Sequence, residues 1–261
     1  MIMMQIENVS RRGFLKGMLG TGALVLGGGL VGAEFVKSAK SAAGESPMAD
    51  AALQPNVYLA INTDGTIYIM AHRTEMGSGD RTGLPMIVAD ELDADWNHVR
   101  VLQAPGNEKY GDQDTDGSHS VRSFWETLRL SGASARLMML QAAAQTWNVP
   151  VKECHTEPSA VVHTPSGKKL TYGELAAVAA KLPVPKKEDV TLKTRTEWRY
   201  IGKPRPGYDL KDMSTGKAMY GQDTHMDGML YASVVHPPVY GSAPKSVDDS
   251  EARKVAGVLD T

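Results

Sequence analysis

The chain holds a single cysteine, Cys154, and that scarcity removes several chemistries at once. No internal disulfide can form, and one thiol cannot furnish the ligands of an iron–sulfur cluster or the paired cysteines of a covalently held haem. Any such redox centre belongs to another chain. With nothing beside it that favours the thiolate, Cys154 reads as a small core hydrophobe. An excess of one charge is also missing: 28 Lys+Arg against 30 Asp+Glu leave a formal net charge of -2, so no global field draws the chain to nucleic acid or to an anionic membrane. Nucleic acid is accordingly not an expected partner. Histidines do not pair at metal-ligand spacing, with His98, His119, His155, His163, His225 and His236 scattered, and no metal is assigned to protein side chains. Neither a Walker A loop nor a dinucleotide fingerprint is present.

What is there is a chain of 261 residues, 42% hydrophobic and 22% charged, long enough for one large or two modest domains with real cores. Ser10-Arg11-Arg12-Gly13-Phe14-Leu15-Lys16 precedes a glycine-rich apolar run to Ala33 and small residues to Gly44. Residues 1–45 therefore read as a twin-arginine export signal. Glycine dilutes the run, and a membrane-spanning helix wants about twenty good apolar residues, so export with cleavage is expected ahead of a retained anchor. Residues 46–55 read as a spacer of small residues.

The stretch that organises the rest is Thr74-Glu75-Met76-Gly77-Ser78-Gly79-Asp80-Arg81-Thr82-Gly83. Tyr58 to Ile61, an Asn62-Thr63-Asp64-Gly65 turn and Thr66 to Met70 predict a β-hairpin that leads into it. Leu84, Ile87, Val88 and Leu92 recur at helical spacing behind it. Gly77 and Gly79 permit a close backbone approach, and the following helix would aim free N–H groups at an oxyanion. On the residues alone a simple turn is the competing reading. Asn97 to Leu102 then predicts another strand, and residues 105–117 a long loop of the kind that often carries function. Ser118 and Ser120 are candidates either for contacts to a phosphate or pterin or for plain helix caps. In the helix behind them, Leu130, Ala133, Leu137, Leu140, Ala144 and Trp147 are expected to face the core. Arg122, Arg129 and Arg136 lie off that face, where they either meet solvent or balance a cofactor's charge. Thr171 with Glu174 forms a capping box for a later helix. The Pro- and Lys-rich residues 183–212 read as an exposed crossing between two units.

Two blocks carry a family resemblance. Glu75-Met76-Gly77-Ser78-Gly79, with Thr82 and Ile87-Val88-Ala89-Asp90-Glu91-Leu92, resembles the Glu-Met-Gly-Gln-Gly motif and adjoining helix of the molybdenum hydroxylases. The branch it is most similar to is that of exported large subunits of the isoquinoline 1-oxidoreductase and membrane-bound aldehyde dehydrogenase type. Gly117-Ser118-His119-Ser120-Val121-Arg122, then Leu128-Arg129 and Gly132-Ala133-Ser134-Ala135-Arg136, resembles the second cofactor loop of that family and the helix behind it. The resemblance implies an α+β fold, with residues 56–182 as the first segment of a molybdopterin-binding domain. It implies that Gly77, Ser78, Gly79, Gly117, Ser118, His119, Ser120 and Val121 approach the cofactor. Ser78 departs from the pattern, since relatives carry a longer glutamine there.

Residues 213–261, with Thr215 to Asp223, Gly228 to Ala232 and Val247 to Ala252, resemble the opening of the α/β-hammerhead domain, in which Leu230 to Val235 would be a buried strand. In the family, further cofactor-domain segments and the catalytic glutamate follow the hammerhead, so no catalytic residue is named here. The implied cofactor is molybdopterin with molybdenum, in the cytosine dinucleotide form. The implied partners are an iron–sulfur small subunit, the remaining molybdopterin-domain segments and a cytochrome c acceptor, at the periplasm. The implied activity is oxidation of aldehydes or hydroxylation of N-heterocycles with water as the oxygen source. A cofactor-free remnant and an exported anion-binding module are the rival readings.

Overall fold

A computed structural model describes residues 5–7 and 46–261. The expected export signal, residues 1–45, lies outside the described residues except for Gln5–Glu7. No described helix is long and apolar enough to cross a membrane.

Residues 46–219 fall in one compact unit. Its first sheet has the order β2 (Leu53–Asn56), β3 (Leu59–Ile61), β4 (Ile67–Ala71), β5 (Val99–Gln103). The predicted hairpin forms as β3 and β4, antiparallel with Leu59 opposite Ile69 and Ile61 opposite Ile67. Gly65 closes the turn at φ 86°, a left-handed geometry that side chains resist. From β4 the chain passes through the glycine loop into helix α1 (Asp80–Leu92) and returns as β5, parallel to β4. A parallel pair requires such a crossover, and α1 buries Leu84, Ile87, Val88 and Leu92 beneath it. The helix begins three residues before the Gly83 at which the loop was expected to end, because Gly79 at φ 85° is the N-cap.

Helix α2 (Ser120–Trp147) lies against α1. Its core face differs from the expected one: Leu128, Gly132, Ala135, Met139 and Ala142 are buried, while Leu130, Leu137, Leu140 and Trp147 are half-buried. Ala133 and Ala144 are buried as anticipated. The reason is the crossing with α1. A Cβ built on Gly132 would stand 2.3 Å from the Val88 carbonyl oxygen, so the two backbones touch there and small residues mark the contact. The larger side chains flank it.

A second, antiparallel sheet of β6 (Cys154–Glu157), β7 (Ala160–His163) and β8 (Lys169–Thr171) follows, then helix α3 (Tyr172–Ala179). The capping box forms as predicted: the Thr171 hydroxyl accepts from Glu174 N, and the Glu174 carboxylate accepts from Thr171 N at 2.7 Å. Cys154 is half-buried, and burial, aided by the Glu153 charge, raises its thiol pKa.

Two stretches expected to be loose are held. In the stretch read as a spacer, Met48 and Leu53 are buried in the core. In the stretch read as an exposed crossing, Lys193 is only 7% exposed, and the backbone of residues 190–208 is strapped onto α1. The Asp90 carboxylate accepts from Arg199 N, Tyr200 N and Ile201 N, and the Glu91 carboxylate from Lys193 N. Further along, Tyr208 N donates to Thr82 Oγ1. Composition had suggested solvent; buried carboxylates on α1 override it by supplying acceptors. Helix α4 (Leu210–Thr215) follows.

In the other unit, β1 (Gln5–Glu7) pairs antiparallel with β9 (Ala243–Ser246). Leu230 to Val235, expected as a buried strand, is not one. Leu230 is 70% and Val234 73% exposed, and no described strand pairs with this stretch, so its backbone lacks the ladder that a strand needs.

Candidate functional site

The two loops that the sequence set about forty residues apart meet in the fold. Arg73 and Thr74 leave the end of β4 at the head of the first loop. Arg73 Nη2 donates to Asp112 Oδ2 at 2.8 Å and lies 3.4 Å from His119 Nδ1. Thr115 Oγ1 donates to the Thr74 carbonyl at 2.6 Å. The long loop of residues 105–117 is thereby ordered, and Tyr58 holds its far side by donating to the Tyr110 carbonyl at 3.0 Å.

In the first loop, the N–H groups expected to face an anion already have one. Glu75 Oε1 accepts from Gly77 N at 2.6 Å and Gly79 N at 3.0 Å, and Oε2 accepts from Arg81 N at 3.0 Å. Burial pushes the Glu75 carboxyl up, but the backbone donors of Gly79, Arg81, Gly77 and Ser78 outweigh it and hold the pKa below its ordinary value. An internal carboxylate thus organises the loop. The Ser78 hydroxyl donates to Asp80 Oδ2 at 2.5 Å. Met76, 67% exposed, projects outward from the loop.

In the second loop, Gly117 and Ser118 are successive left-handed residues at φ 52° and 55°. His119 is the N-cap of α2, and neither Ser118 nor Ser120 makes a side-chain cap bond. His119 Nε2 is 2.7 Å from Asp116 Oδ1, which orients the ring between Asp116 and Arg73. Ser118 and Val121 are exposed, as is the start of α2, where unsatisfied N–H groups suit an anion or a polar ring.

Beneath both loops lie His72 and Arg73, each fully buried. The His72 ring stands 4.1 Å from the Phe124 ring, and its two nitrogens have no partner. Burial first, then the neighbouring Arg73 charge, lowers its pKa to about 4, so the imidazole is neutral near pH 7. Neither residue stood out in the sequence. The one signal that could have marked them is their place directly after the apolar strand Ile67–Ala71, although alternation predicts burial for only one of two adjacent residues.

Arg129 and Arg136 serve neither of the roles weighed for them. Both pair with the buried Glu91 carboxylate, Arg129 through Nη2 at 2.5 Å and Arg136 through Nη2 at 3.7 Å. They also donate to the carbonyls of Lys193 and Thr191. Arg122 remains exposed. Among the described residues no group of His, Cys, Asp and Glu is arranged to hold a metal ion. A cavity of about 320 Å³ between α2, β6 and the strap is lined by Arg136, Leu140, His155 and Glu197 among others, and by none of the loop residues.

The sequence profile of the molybdopterin cofactor-binding domain matches residues 30–228. The chain belongs to that family. Among similar proteins, the beta chain of isoquinoline 1-oxidoreductase from Brevundimonas diminuta is 35% identical over 96% of this chain and 36% of its own length. The membrane-bound aldehyde dehydrogenase [pyrroloquinoline-quinone] of Gluconacetobacter polyoxogenes is 33% identical over 97% of this chain and 32% of its own. A nicotinate dehydrogenase subunit of Pseudomonas putida is 26% identical over 78% of this chain. The chain thus spans about a third of the length of the first two. Of solved structures, quinoline 2-oxidoreductase from Pseudomonas putida 86 aligns with 46% of the chain at a TM-score of 0.38 and 17% identity. For a molybdopterin-binding chain, the residues present fit the group in two respects: the exposed start of α2 offers backbone N–H donors, and Arg73 carries buried N–H groups without a partner among the described residues.

Proposed function

We propose that this chain is part of a molybdopterin-dependent oxidoreductase subunit that oxidises aldehydes or hydroxylates N-heterocycles, with water as the oxygen source. The observation that carries the reading is the junction of the two loops through Arg73–Asp112 and Thr115–Thr74. These contacts join the first loop to the second, and in this reading the two form one bipartite cradle. The names of the Brevundimonas and Gluconacetobacter relatives support the two substrate classes.

In this reading, Gly77, Ser78 and Gly79 line one side of the cofactor, while Gly117, Ser118, His119, Ser120 and Val121 line the other. When bound, the cofactor supplies the two-electron oxidation of carbon. The chain's own residues do the holding. Glu75 keeps the first loop in a single backbone conformation, so that the loop meets its ligand through Met76 and the outer faces of Gly77 and Ser78. Asp116 and Arg73 fix the His119 ring, and the exposed start of α2 presents N–H donors. No residue of this chain is assigned a proton transfer.

The finer features are part of the same proposal. They are export by the twin-arginine route to the periplasm, supported by Arg11-Arg12 with Phe14-Leu15, and the cytosine dinucleotide form of the cofactor. They include iron–sulfur clusters on a small subunit, for which one cysteine leaves no room here, a cytochrome c acceptor, and a hammerhead domain opening near residue 213. Molybdenum and pterin analysis of the purified full complex tests the reading. Stoichiometric amounts of both are expected; neither, or pyrroloquinoline quinone in place of pterin, overturns it.

A further inference from the structure

Helix α1 starts without a cap of its own: its N-cap is Gly79, which has no side chain to accept from the first turn. A first turn left without such an acceptor frays. Yet this turn carries the glycine loop, since Arg81 N donates to Glu75 Oε2 at 3.0 Å and the Gly79 carbonyl accepts from Thr82 N and Gly83 N at 3.0 and 2.8 Å. Its support comes from the far end of the strap, 126 residues along the chain. Tyr208 N donates to Thr82 Oγ1 at 2.8 Å, and the Tyr208 hydroxyl accepts from Val101 N of β5 at 3.2 Å. One residue therefore joins the start of α1 to the edge of the sheet. Beside it, Asp209 Oδ2 lies 3.3 Å from Arg81 Nε, and both side chains are largely shielded from water. The contact is an ion pair and not an aligned hydrogen bond, because Nε has no hydrogen-bond partner among the described residues. Asp209 is also the N-cap of α4, where an aspartate ordinarily accepts from its own helix. It makes no such bond, and its carboxylate meets Arg81 instead.

We infer that Thr82 and Asp209 are positioning residues, through which the end of the strap fixes the glycine loop assigned above to the cofactor. The inference rests on the cofactor reading and adds to it the source of the loop's rigidity. Glu75 sets the loop's internal shape, whereas Thr82 and Asp209 set where that shape stands relative to β5. Neither residue touches the ligand; both act through the first turn of α1.

The test compares wild type with Thr82→Val, Thr82→Ser and Asp209→Asn in two preparations. In the full chain, protection against hydrogen exchange at the Gly77, Gly79 and Arg81 amides is read against that of the β7 amides. In the full complex from a host that makes pterin, pterin is released and counted per chain. Thr82→Val keeps the shape of the side chain and removes the acceptor, so loop protection is expected to fall about tenfold with β7 unchanged and less pterin retained. Thr82→Ser should restore both. Asp209→Asn should lower loop protection about threefold, and raised salt should do the same to wild type but nothing further to the variant. A role confined to capping α4 predicts no change in Asp209→Asn, since asparagine caps as well as aspartate, and that result overturns the assignment of Asp209. Equal losses in the loop and in β7 mean general destabilisation and overturn the positioning role of both residues. Should Thr82→Val fail to fold, Asp209→Asn and its salt response decide the matter. Loop protection lost with pterin present in full in every variant refutes the link to the cofactor. Wild-type complex devoid of pterin and molybdenum removes the cofactor reading itself; unchanged loop protection in Thr82→Val, with pterin bound in wild type, removes only the positioning role.

Discussion

The α1–α2 crossing sets the spacing of the two loops, and Gly132 tests it directly. A methyl group there would meet the Val88 carbonyl oxygen at 2.3 Å, Glu91 Cβ at 2.9 Å and Leu92 N at 3.2 Å. Two of the three are backbone atoms and cannot rotate away, so the helices must separate. Overpacking of this kind costs about 3 kcal/mol, at the upper end of its usual range. Alanine returns about 1 kcal/mol through helix propensity, leaving Gly132→Ala destabilised by about 2 kcal/mol. For a unit of this size, that lowers the thermal midpoint by about 4–8 °C. Gly83 provides the control. It lies inside α1 with nothing within 4 Å of a methyl placed there and no positive φ, so Gly83→Ala gains about 0.5–1 kcal/mol and about 1–4 °C. Thermal unfolding of the two variants side by side, followed by near-UV circular dichroism, reads opposite signs if the crossing is as close as described. A Gly132→Ala chain as stable as wild type would refute the packing argument, and with it the claim that this contact holds the loops in register.

Asp90→Asn replaces one of the two carboxylate oxygens that three consecutive N–H groups of the strap share with a donor, while Lys193 keeps Asp93 at 2.6 Å; leaving buried donors unsatisfied costs about 1–3 kcal/mol. Limited proteolysis should cut near residues 190–208 in that variant while wild type resists. Between the ordinary histidine pKa and the folded value of about 4 for His72, the unfolded chain binds the proton and the folded chain does not. Stability therefore falls as pH drops through this window, by at most about 3 kcal/mol, and His72→Phe should flatten the slope in urea titrations from pH 7 to pH 4. The Glu75 carboxyl is lowered in the folded state, so its contribution is present above the unfolded pKa and is lost as pH falls through the folded one. The protection of the Gly77, Gly79 and Arg81 amides against hydrogen exchange, relative to the unstructured rate at the same pH, should fall in acid, and Glu75→Gln should reproduce that loss of protection at neutral pH.

Local signals determined a good part of this molecule. Asp64-Gly65 has a backbone preference that needs no distant partner, and the hairpin follows from it. The Thr171 and Glu174 side chains satisfy each other within one turn, and that helix begins where the pair stands. The motif at residues 75–79 and the second block at residues 117–122 marked the family through identity and order alone. Tertiary structure decided what those residues do. Gly77 and Gly79 looked like donors to an external anion because a sequence shows the donors and not their acceptor; folding back by two and four residues, Glu75 takes both. Arg129 and Arg136 looked solvent-facing because Glu91, thirty-eight residues before Arg129, becomes their neighbour only when α1 and α2 cross. Residues 190–208 looked loose because proline and lysine are common in linkers, and the carboxylate that captures their N–H groups lies about a hundred residues earlier. Short-range chemistry is written where it acts. Burial and ion pairing depend on which distant segments share the same space, and here that was settled by the contact between Gly132 and Val88.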